Sequence, residues 1–400
     1  MSGHQFPTMG EDHCPFIPIF GAPALMIERG SGTEVWDVSG RRYLDFLSGI
    51  AVVSLGHCNA AVSDAIAAQA HQLMHISGFF ANPSATAAAV AINTLMREAS
   101  GAVGQVFMCN SGAEANEAAI KLARKFGGRG RHAVVSALGS FHGRTLAALA
   151  ATGQPAKHEP FQPMPEGFRH VPFGDLDAMV AAVDPSVAAI LIEPVQGEGG
   201  VLPASAEYLR GIRALCDERG MLMMVDEVQT GFARTGKWFG FEHAGVSPDV
   251  VTMAKGMGNG FPVGAMWAKR EVASVFQPGD HGSTYSGTAI AGAAVKAVID
   301  EMKRIDAPRL AAEKGDYLAS KLSTLPGVVE VRGLGLLRAA DFGPTRDAKA
   351  VHGELLNRGL ITNAVNATSL RLAPPITTSL AQIDEAVGII AGVLSDGVGA

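Results

Sequence analysis

The chain has 400 residues, is 48% hydrophobic and carries a formal net charge of −6 at neutral pH. Such a length and apolar content allow a large buried core, in two domains or in one large α/β domain with an appendage. The acidic balance gives no electrostatic reason to expect nucleic acid or an anionic membrane surface as a partner. Before residue 24 the chain has several prolines with Glu11 and Asp12, and no basic stretch followed by an apolar one, so no export signal is expected. The four cysteines, Cys14, Cys58, Cys109 and Cys216, are widely spaced and form no CxxC or Cys/His ligand group, which suits reduced thiols in a cytoplasmic enzyme. Residues 72–96 lack charges but contain His75, Asn82, Pro83, Ser84 and Asn93, too polar and interrupted to span a bilayer.

From about Val103 to Trp267, apolar strand-like runs alternate with helix-like segments. The predicted strands are Gln105–Cys109, His132–Ala137, Ala188–Ile192, Leu222–Val225 and Val250–Met253. Helices are predicted at Ala115–Phe126, Leu176–Val183 and Ala206–Glu218 from apolar residues at three- and four-residue spacing. Alternation of this kind predicts an α/β fold with a mainly parallel central sheet. After Thr288 the pattern changes to a long Ala-rich helix (Ala289–Met302), a second helix near Leu310–Leu322 and a strand around Val328–Leu337. The basic cluster Arg129, Arg131 and His132 reads as a solvated loop.

The chemistry gathers where these strands end. Asp226 follows the apolar run Met221–Val225, and Lys255 follows Val250–Met253. Two parallel buried strands would aim both side chains into the crevice where open α/β sheets bind ligands. A lysine and an acid there suit pyridoxal phosphate (PLP): the amine forms a Schiff base with the cofactor aldehyde, and the carboxylate keeps the pyridine nitrogen protonated. The segment Asn110-Ser111-Gly112-Ala113-Glu114 opens a helix after a strand, with the S-x-x-E pattern of a capping box and a glycine that lets an anion approach the helix end. Phe141-His142-Gly143-Arg144-Thr145 offers an aromatic to stack on a flat cofactor and an arginine to hold a carboxylate. Glu193 to Gly200 brings two acids and three glycines to another strand end. Singly, the first reads more readily as an ordinary helix cap and the second as a surface arginine, while the third reads as well as a Gly-rich turn. An acid ending a fully apolar strand, as Asp226 does, is harder to dismiss, because an unpaired buried charge is costly.

Together these motifs resemble the class III PLP-dependent aminotransferases of fold type I, and among them most the acetylornithine aminotransferases. The resemblance runs from about Ile27 to Pro375. It includes Trp36-Asp37, Tyr43 to Phe46, Ser48 to Val52, Asn110 to Ala115, Phe141 to Thr145, Gln196 to Glu198, Asp226 to Gly231, Ala254 to Gly256, His281 to Thr284 and Arg371 to Pro375. It implies an N-terminal segment (1–60) that joins a small α+β domain formed by the termini, a large PLP-binding domain (61–295) and a C-terminal small domain (296–400). It also implies that Lys255 carries the cofactor and shuttles protons, Asp226 pairs with the pyridinium, Gln229 donates to the ring hydroxyl, and Phe141 and Val228 sandwich the ring. Ser111, Gly112 and Ala113 would meet the phosphate, His142 would lie beside the cofactor, and Thr284 would arrive from the neighbouring subunit of a homodimer. Arg144 and Ser283 would hold the carboxylate at the far end of the substrate.

An enzyme of this kind takes glutamate, whose carboxylate lies beside the reacting amine, and then acetylornithine, whose reacting δ-amine has no such neighbour. A fixed arginine near the cofactor would be left unsatisfied in the second case. Arg371 and Glu198 match the family's arginine and its neutralising glutamate, predicting a closed pair with acetylornithine and an open one with glutamate. The implied reaction is ping-pong, with 2-oxoglutarate as acceptor, and acetylornithine use would place it in arginine biosynthesis. Ile50 lies where ornithine aminotransferases typically carry a tyrosine, so its apolar side chain favours an α-nitrogen that is acylated or absent. 4-Aminobutyrate, ornithine, succinylornithine and diaminopimelate-type amines remain alternatives, as does a mutase, decarboxylase or silent PLP binder on the same fold. Gly256-Met257-Gly258-Asn259-Gly260 fails the G-x-G-x-x-G spacing, and Phe261-Pro262 interrupts the helix a nicotinamide site would need. His57, His75 and His142 are unequally spaced with no Cys or paired carboxylates nearby, so structural or cofactor-adjacent roles are expected rather than a metal. The chain departs from the family pattern at Thr288-Ala289, Asn59-Ala60 and Gly78.

Overall fold

Residues 16–21 and 23–400 are described by a computed structural model. Cys14, Glu11 and Asp12 lie outside the described residues. Seven strands build the central sheet: β1 (Gly104–Cys109), β2 (Ala133–Ala137), β3 (Phe168–Val171), β4 (Val187–Ile192), β5 (Leu222–Asp226), β6 (Val250–Met253) and β7 (Gly264–Lys269). Their spatial order is β1-β7-β6-β5-β4-β2-β3. All neighbours run parallel except the two pairings of β7, which is antiparallel to both β6 and β1. Every residue of β2, β4, β5 and β6 is buried, as befits strands covered on both faces. Alternate residues serve two cores: Leu222 and Met224 pack with Ile120 and Leu122 of the helix Gly112–Gly127, while Met223 and Val225 pack with Ile212 and Leu215 of Ala206–Arg219.

The fold is the expected α/β class with a mixed, mostly parallel sheet. Five strands match the expectation to within a residue at either end; β3 and β7 are additions. β3 is a four-residue edge strand whose Arg169 and His170 break the apolar signal. β7 follows Pro262 after a short connection, which only an antiparallel strand permits. The single strand expected over Val328–Leu337 is instead a hairpin, Glu330–Leu334 against Leu337–Asp341. Its turn holds Gly335 at φ +53, where a Cβ would lie 2.4 Å from the Thr235 backbone.

The two ends of the chain interlock. The meander Ile27–Ser31, Glu34–Asp37 and Arg42–Asp45 is extended by Leu360–Ile361, parallel to Arg42–Asp45. A second small sheet joins Glu330–Leu334, Leu337–Asp341, Ser369–Leu372 and Asn363–Ala364. The helix Ala289–Arg304 packs on Ala60–Gln72 and Pro83–Ser100. Two of the sequence departures are helix caps: the Asn59 side chain accepts from the Val62 N–H, and Thr288 from the Ala291 N–H. Arg131 is not simply solvated; its guanidinium donates to the carbonyls of Val187, Arg219 and Gly220. Among the described residues no helix is long and apolar enough to cross a membrane.

Candidate active site

β5 and β6 run in register with Asp226 beside Thr252, so the two strands end together. Lys255 lies two residues beyond β6 with φ +48, a left-handed conformation rare for a lysine. Both side chains line one cavity of about 380 Å³, together with Ser111, Gly112, Ala113, Asn116, Phe141, His142, Arg144, Glu193, Val228 and Gln229. Its size suits a small flat ligand.

Asp226 is buried and firmly held. Its Oδ2 accepts from Asn116 Nδ2 and His142 Nδ1, each at 2.8 Å, and its Oδ1 accepts from the Val228 N–H at 3.0 Å. Because a carboxylate can only accept, the His142 proton sits on Nδ1. Asn116 is oriented in turn by Thr252, whose hydroxyl donates to Asn116 Oδ1 at 2.8 Å. Three of the four lone-pair sites on Asp226 are thus filled by protein donors, and one remains for a proton-bearing partner.

Burial, seconded by the charge of Arg371, depresses the Lys255 pKa to about 8, against the pull of Glu198, Asp226 and Glu193. Glu193 is buried, and that burial, with the nearby charge of Asp226, pushes its carboxyl well above the usual range. Its Oε2 accepts from the Phe141 N–H at 3.1 Å. Arg371, only 1% exposed, contacts Glu198 Oε1 at 2.6 Å, Gln229 Oε1 at 3.2 Å and Asn363 Oδ1 at 2.9 Å. Burial alone would raise Glu198, but the Arg371 guanidinium more than offsets it and holds the carboxyl below its ordinary value. With its oxygen committed to Arg371, the Gln229 amide has its N–H groups left to donate.

At the start of the helix Gly112–Gly127, Ser111 Oγ accepts from the Glu114 N–H at 3.2 Å. The expected reciprocal box is shifted by one residue: Glu114 Oε2 takes the Asn110 backbone N–H at 2.6 Å and Asn110 Nδ2 at 2.9 Å, rather than the Ser111 N–H. The Gly112 and Ala113 N–H groups, which no intrahelical bond can satisfy, stay at the cavity wall. Gly112 is also a packing requirement, since a Cβ there would lie 2.8 Å from both methyls of Val228.

Five expected residues stand off this wall, and Arg371 meets it through Gln229. Ser283 sits at its edge, its Oγ 3.3 Å from Asn110 Nδ2. Thr284 is exposed and does not line this chain's own cavity. Ile50 does not line the cavity either; it lies in a run of left-handed residues, Ser48 to Ala51, with φ +66 and 38% exposure. Glu198 reaches the site through Arg371 and Gln229 rather than by lining it. The histidines are each engaged by other groups: His57 with Asp45 at 2.8 Å, His75 against the Tyr285 ring, His142 with Asp226. No group of ligating residues suited to a metal occurs among the described residues. Sequence reasoning missed Asn116 and Thr252, and weighed Glu193 only as part of a turn. Asn116 is four residues after Gly112, one helical turn along the same face, which was the signal available.

Residues 20–394 match the family model for aminotransferase class-III. The chain is a class III aminotransferase. It is 45% identical over 381 residues to an acetylornithine aminotransferase of Caldanaerobacter subterraneus subsp. tengcongensis, covering 93% of this chain and 95% of that one. An acetylornithine aminotransferase of Bacillus subtilis is 43% identical, covering 92% of this chain and 94% of its own. Among solved structures, an ornithine aminotransferase from Toxoplasma gondii superposes with a TM-score of 0.89 at 30% identity, over 97% of this chain and 93% of that one. The N-acetylornithine aminotransferase from Stenotrophomonas maltophilia superposes with a TM-score of 0.82 at 30% identity, over 94% and 97%. For this class III aminotransferase the Lys255 and Asp226 strand ends are therefore the center of the candidate site.

Proposed function

We propose that this aminotransferase transfers the δ-amino group of N2-acetyl-L-ornithine to 2-oxoglutarate, giving N-acetyl-L-glutamate 5-semialdehyde and glutamate, with PLP as cofactor. The observation that carries the substrate reading is the Arg371–Glu198 contact beside Gln229 and Lys255. With its charge satisfied by Glu198, Arg371 does not demand a carboxylate next to the reacting amine, so a terminal amine can enter without leaving a buried cation unpaired. Opening of the pair would let glutamate present its α-carboxylate to Arg371. The substrate named for the relatives supports the same choice, and the product would feed arginine synthesis.

The cavity fits PLP by its donors. A phosphate suits the free N–H groups of Gly112 and Ala113 at a helix start, and a flat ring suits the space between Phe141 and Val228. The unfilled acceptor site of Asp226 suits a protonated ring nitrogen, and the Gln229 amide a ring oxygen. When bound, the cofactor supplies an aldehyde to take up the amine and a ring to accept the electron pair left by a departing proton. Lys255 Nζ, neutral above about pH 8, removes the proton from the substrate carbon bearing nitrogen and delivers it to the next carbon acceptor. The network of Thr252, Asn116 and His142 holds Asp226 in place while this occurs.

We also infer a homodimer in which Thr284 serves the neighbouring site. Thr284 is flanked by Tyr285, 60% exposed, near His75 in a segment that also bares Met74, Phe79 and Phe80 at 58%, 94% and 63%. So large an apolar exposure on a globular chain marks a contact surface. Cys58, Cys109 and Cys216 are unpaired thiols, in keeping with a reducing compartment such as the cytoplasm.

The assignment is tested by mixing the holoenzyme separately with glutamate, N-acetylornithine, ornithine and 4-aminobutyrate and following the visible band of the cofactor through a single turnover. Rapid change with the first two and slow change with the others is the expected result. Faster reaction of ornithine or 4-aminobutyrate would overturn the substrate choice, and no change with any amine would overturn transamination itself.

A further inference from the structure

A second cation shares the Phe141 ring with Arg144. Lys157, on the short helix Pro155–His158, places Nζ 5.0 Å from the centre of the Phe141 ring, and the Arg144 guanidinium carbon lies 5.6 Å from the same centre. Phe141 and Arg144 both line the cavity. Among the described residues, neither cation has a carboxylate within ion-pair distance or a hydrogen-bond acceptor. Lys125, by contrast, pairs with Asp280, Arg169 with Asp184, and Arg371 with Glu198.

Burial and the charge of Arg144 both push the Lys157 pKa down, with only Glu198 acting the other way. Two cations converging on one aromatic ring, each with its donors unspent, repel one another unless an anion sits between them. Long flexible side chains in such a position would otherwise spread into water, as the cation–π attraction of an exposed ring is weak. A carboxylate suits these two cations in charge and in donor count. Arg144 offers a planar fork for bidentate contact, and Lys157 a compact charge with rotatable donors.

We propose that Lys157 is a second cationic residue of the substrate's carboxylate subsite, closing with Arg144 on the carboxylate that is remote from the reacting carbon. The proposal rests on the transaminase reading above and deepens it, because it says how the enzyme tells an amino acid with a distal carboxylate from a plain amine. Lys157 binds substrate and takes no part in proton transfer, so its removal weakens binding without slowing the bound complex.

The test compares wild-type holoenzyme with Lys157→Met and Lys157→Arg. Three readouts are taken: steady-state kinetics with N-acetylornithine, kinetics with pentylamine, which has no carboxylate, and binding of glutarate followed by the cofactor's absorbance. One lost charge-assisted hydrogen bond corresponds to about a tenfold weakening. Lys157→Met is expected to raise both the KM for N-acetylornithine and the glutarate dissociation constant by that factor, with kcat within about twofold. Lys157→Arg is expected to recover most of the glutarate affinity. The loss on pentylamine should stay below about twofold. Equal losses on pentylamine and N-acetylornithine, or glutarate binding that ignores Lys157→Met, would overturn the proposal and leave Lys157 as a structural partner of the Phe141 ring. If N-acetylornithine proves not to be a substrate while glutarate still depends on Lys157, the substrate reading fails and this subsite stands.

Discussion

In the proposed reaction Lys255 combines two demands that oppose each other in an ordinary lysine: it must be neutral to react and charged to give its proton back. Burial beside Arg371 resolves this by lowering its pKa from the ordinary 10.5 to about 8, so both forms are accessible near neutrality. Depression means that the neutral amine is gained as pH rises through about 8, not 10.5. Capture of PLP by the cofactor-free protein should therefore speed up between pH 7 and 9 and level off above, measured by stopped-flow absorbance; a rise that continues past pH 10 would show an ordinary lysine. In the proposed reaction Arg371 and Glu198 separate the two half-reactions. Glu198→Gln removes the charge that neutralises Arg371, so the N-acetylornithine half-reaction should slow by about tenfold or more, while the glutamate half-reaction, which needs Arg371 free, is unharmed. Equal slowing of both, read in single turnovers, would make the pair merely structural. Lys255 and Asp226 were legible in the sequence because a charge that ends an apolar strand stands out against its neighbours. Asn116 and Thr252 were not, because each acts on Asp226 from a different element, and only the folded register brings Thr252 level with it.

Among the elements, the start of the helix Gly112–Gly127 carries the sharpest conflict between local and tertiary preference. Alanine is the better helix former, by up to about 1 kcal/mol, so propensity alone favours Gly112→Ala. Packing opposes it: the new methyl would meet both Val228 methyls at 2.8 Å, and Val228 forms the cavity wall. Overpacking costs about 1–3 kcal/mol and wins. Cofactor affinity in Gly112→Ala should fall by about tenfold, measured by equilibrium titration of the cofactor-free protein, with helix content by circular dichroism unchanged. Unaltered affinity would mean that Val228 yields without disturbing the ring space. The elements themselves were readable to the degree that their burial was uniform. β4, β5 and β6 are buried at every residue and announced themselves as apolar runs. β3, half exposed at the sheet edge, did not, and the hairpin at Gly335 was hidden because Leu334, Leu336 and Leu337 carry an apolar run through the turn. Thr288 and Asn59 looked like departures from the family pattern, yet each caps a helix, a role open to several polar residues.

At the scale of the molecule, the position of Thr284 is the strongest argument that one chain is not a complete enzyme. It is exposed, it lies beside an apolar surface that includes Phe79, Phe80 and Tyr285, and it does not reach the cavity of its own chain. If it completes the phosphate site of the neighbouring subunit, each site is built from Lys255 of one chain and Thr284 of the other. Two damaged chains can then repair each other. Lys255→Ala removes the reacting amine, and Thr284→Asp sets a carboxylate against the phosphate; a homodimer of either variant has two defective sites. In a mixed dimer made by co-expression with distinguishable tags, the intact Lys255 comes from the Thr284→Asp chain and faces the intact Thr284 of the Lys255→Ala chain. That dimer has one whole site and should show about half the wild-type kcat per dimer, with the remaining site doubly damaged. The same assay on the chain that carries both substitutions, paired with wild type, should leave no site whole, because each wild-type group then faces a damaged partner. If instead Thr284 serves its own chain, the pattern inverts: the mixed dimer of single variants stays inactive and the double variant paired with wild type keeps one working site. Once the Lys255→Ala and Thr284→Asp homodimers are each shown to be inactive, the two arrangements give opposite answers in the same pair of preparations.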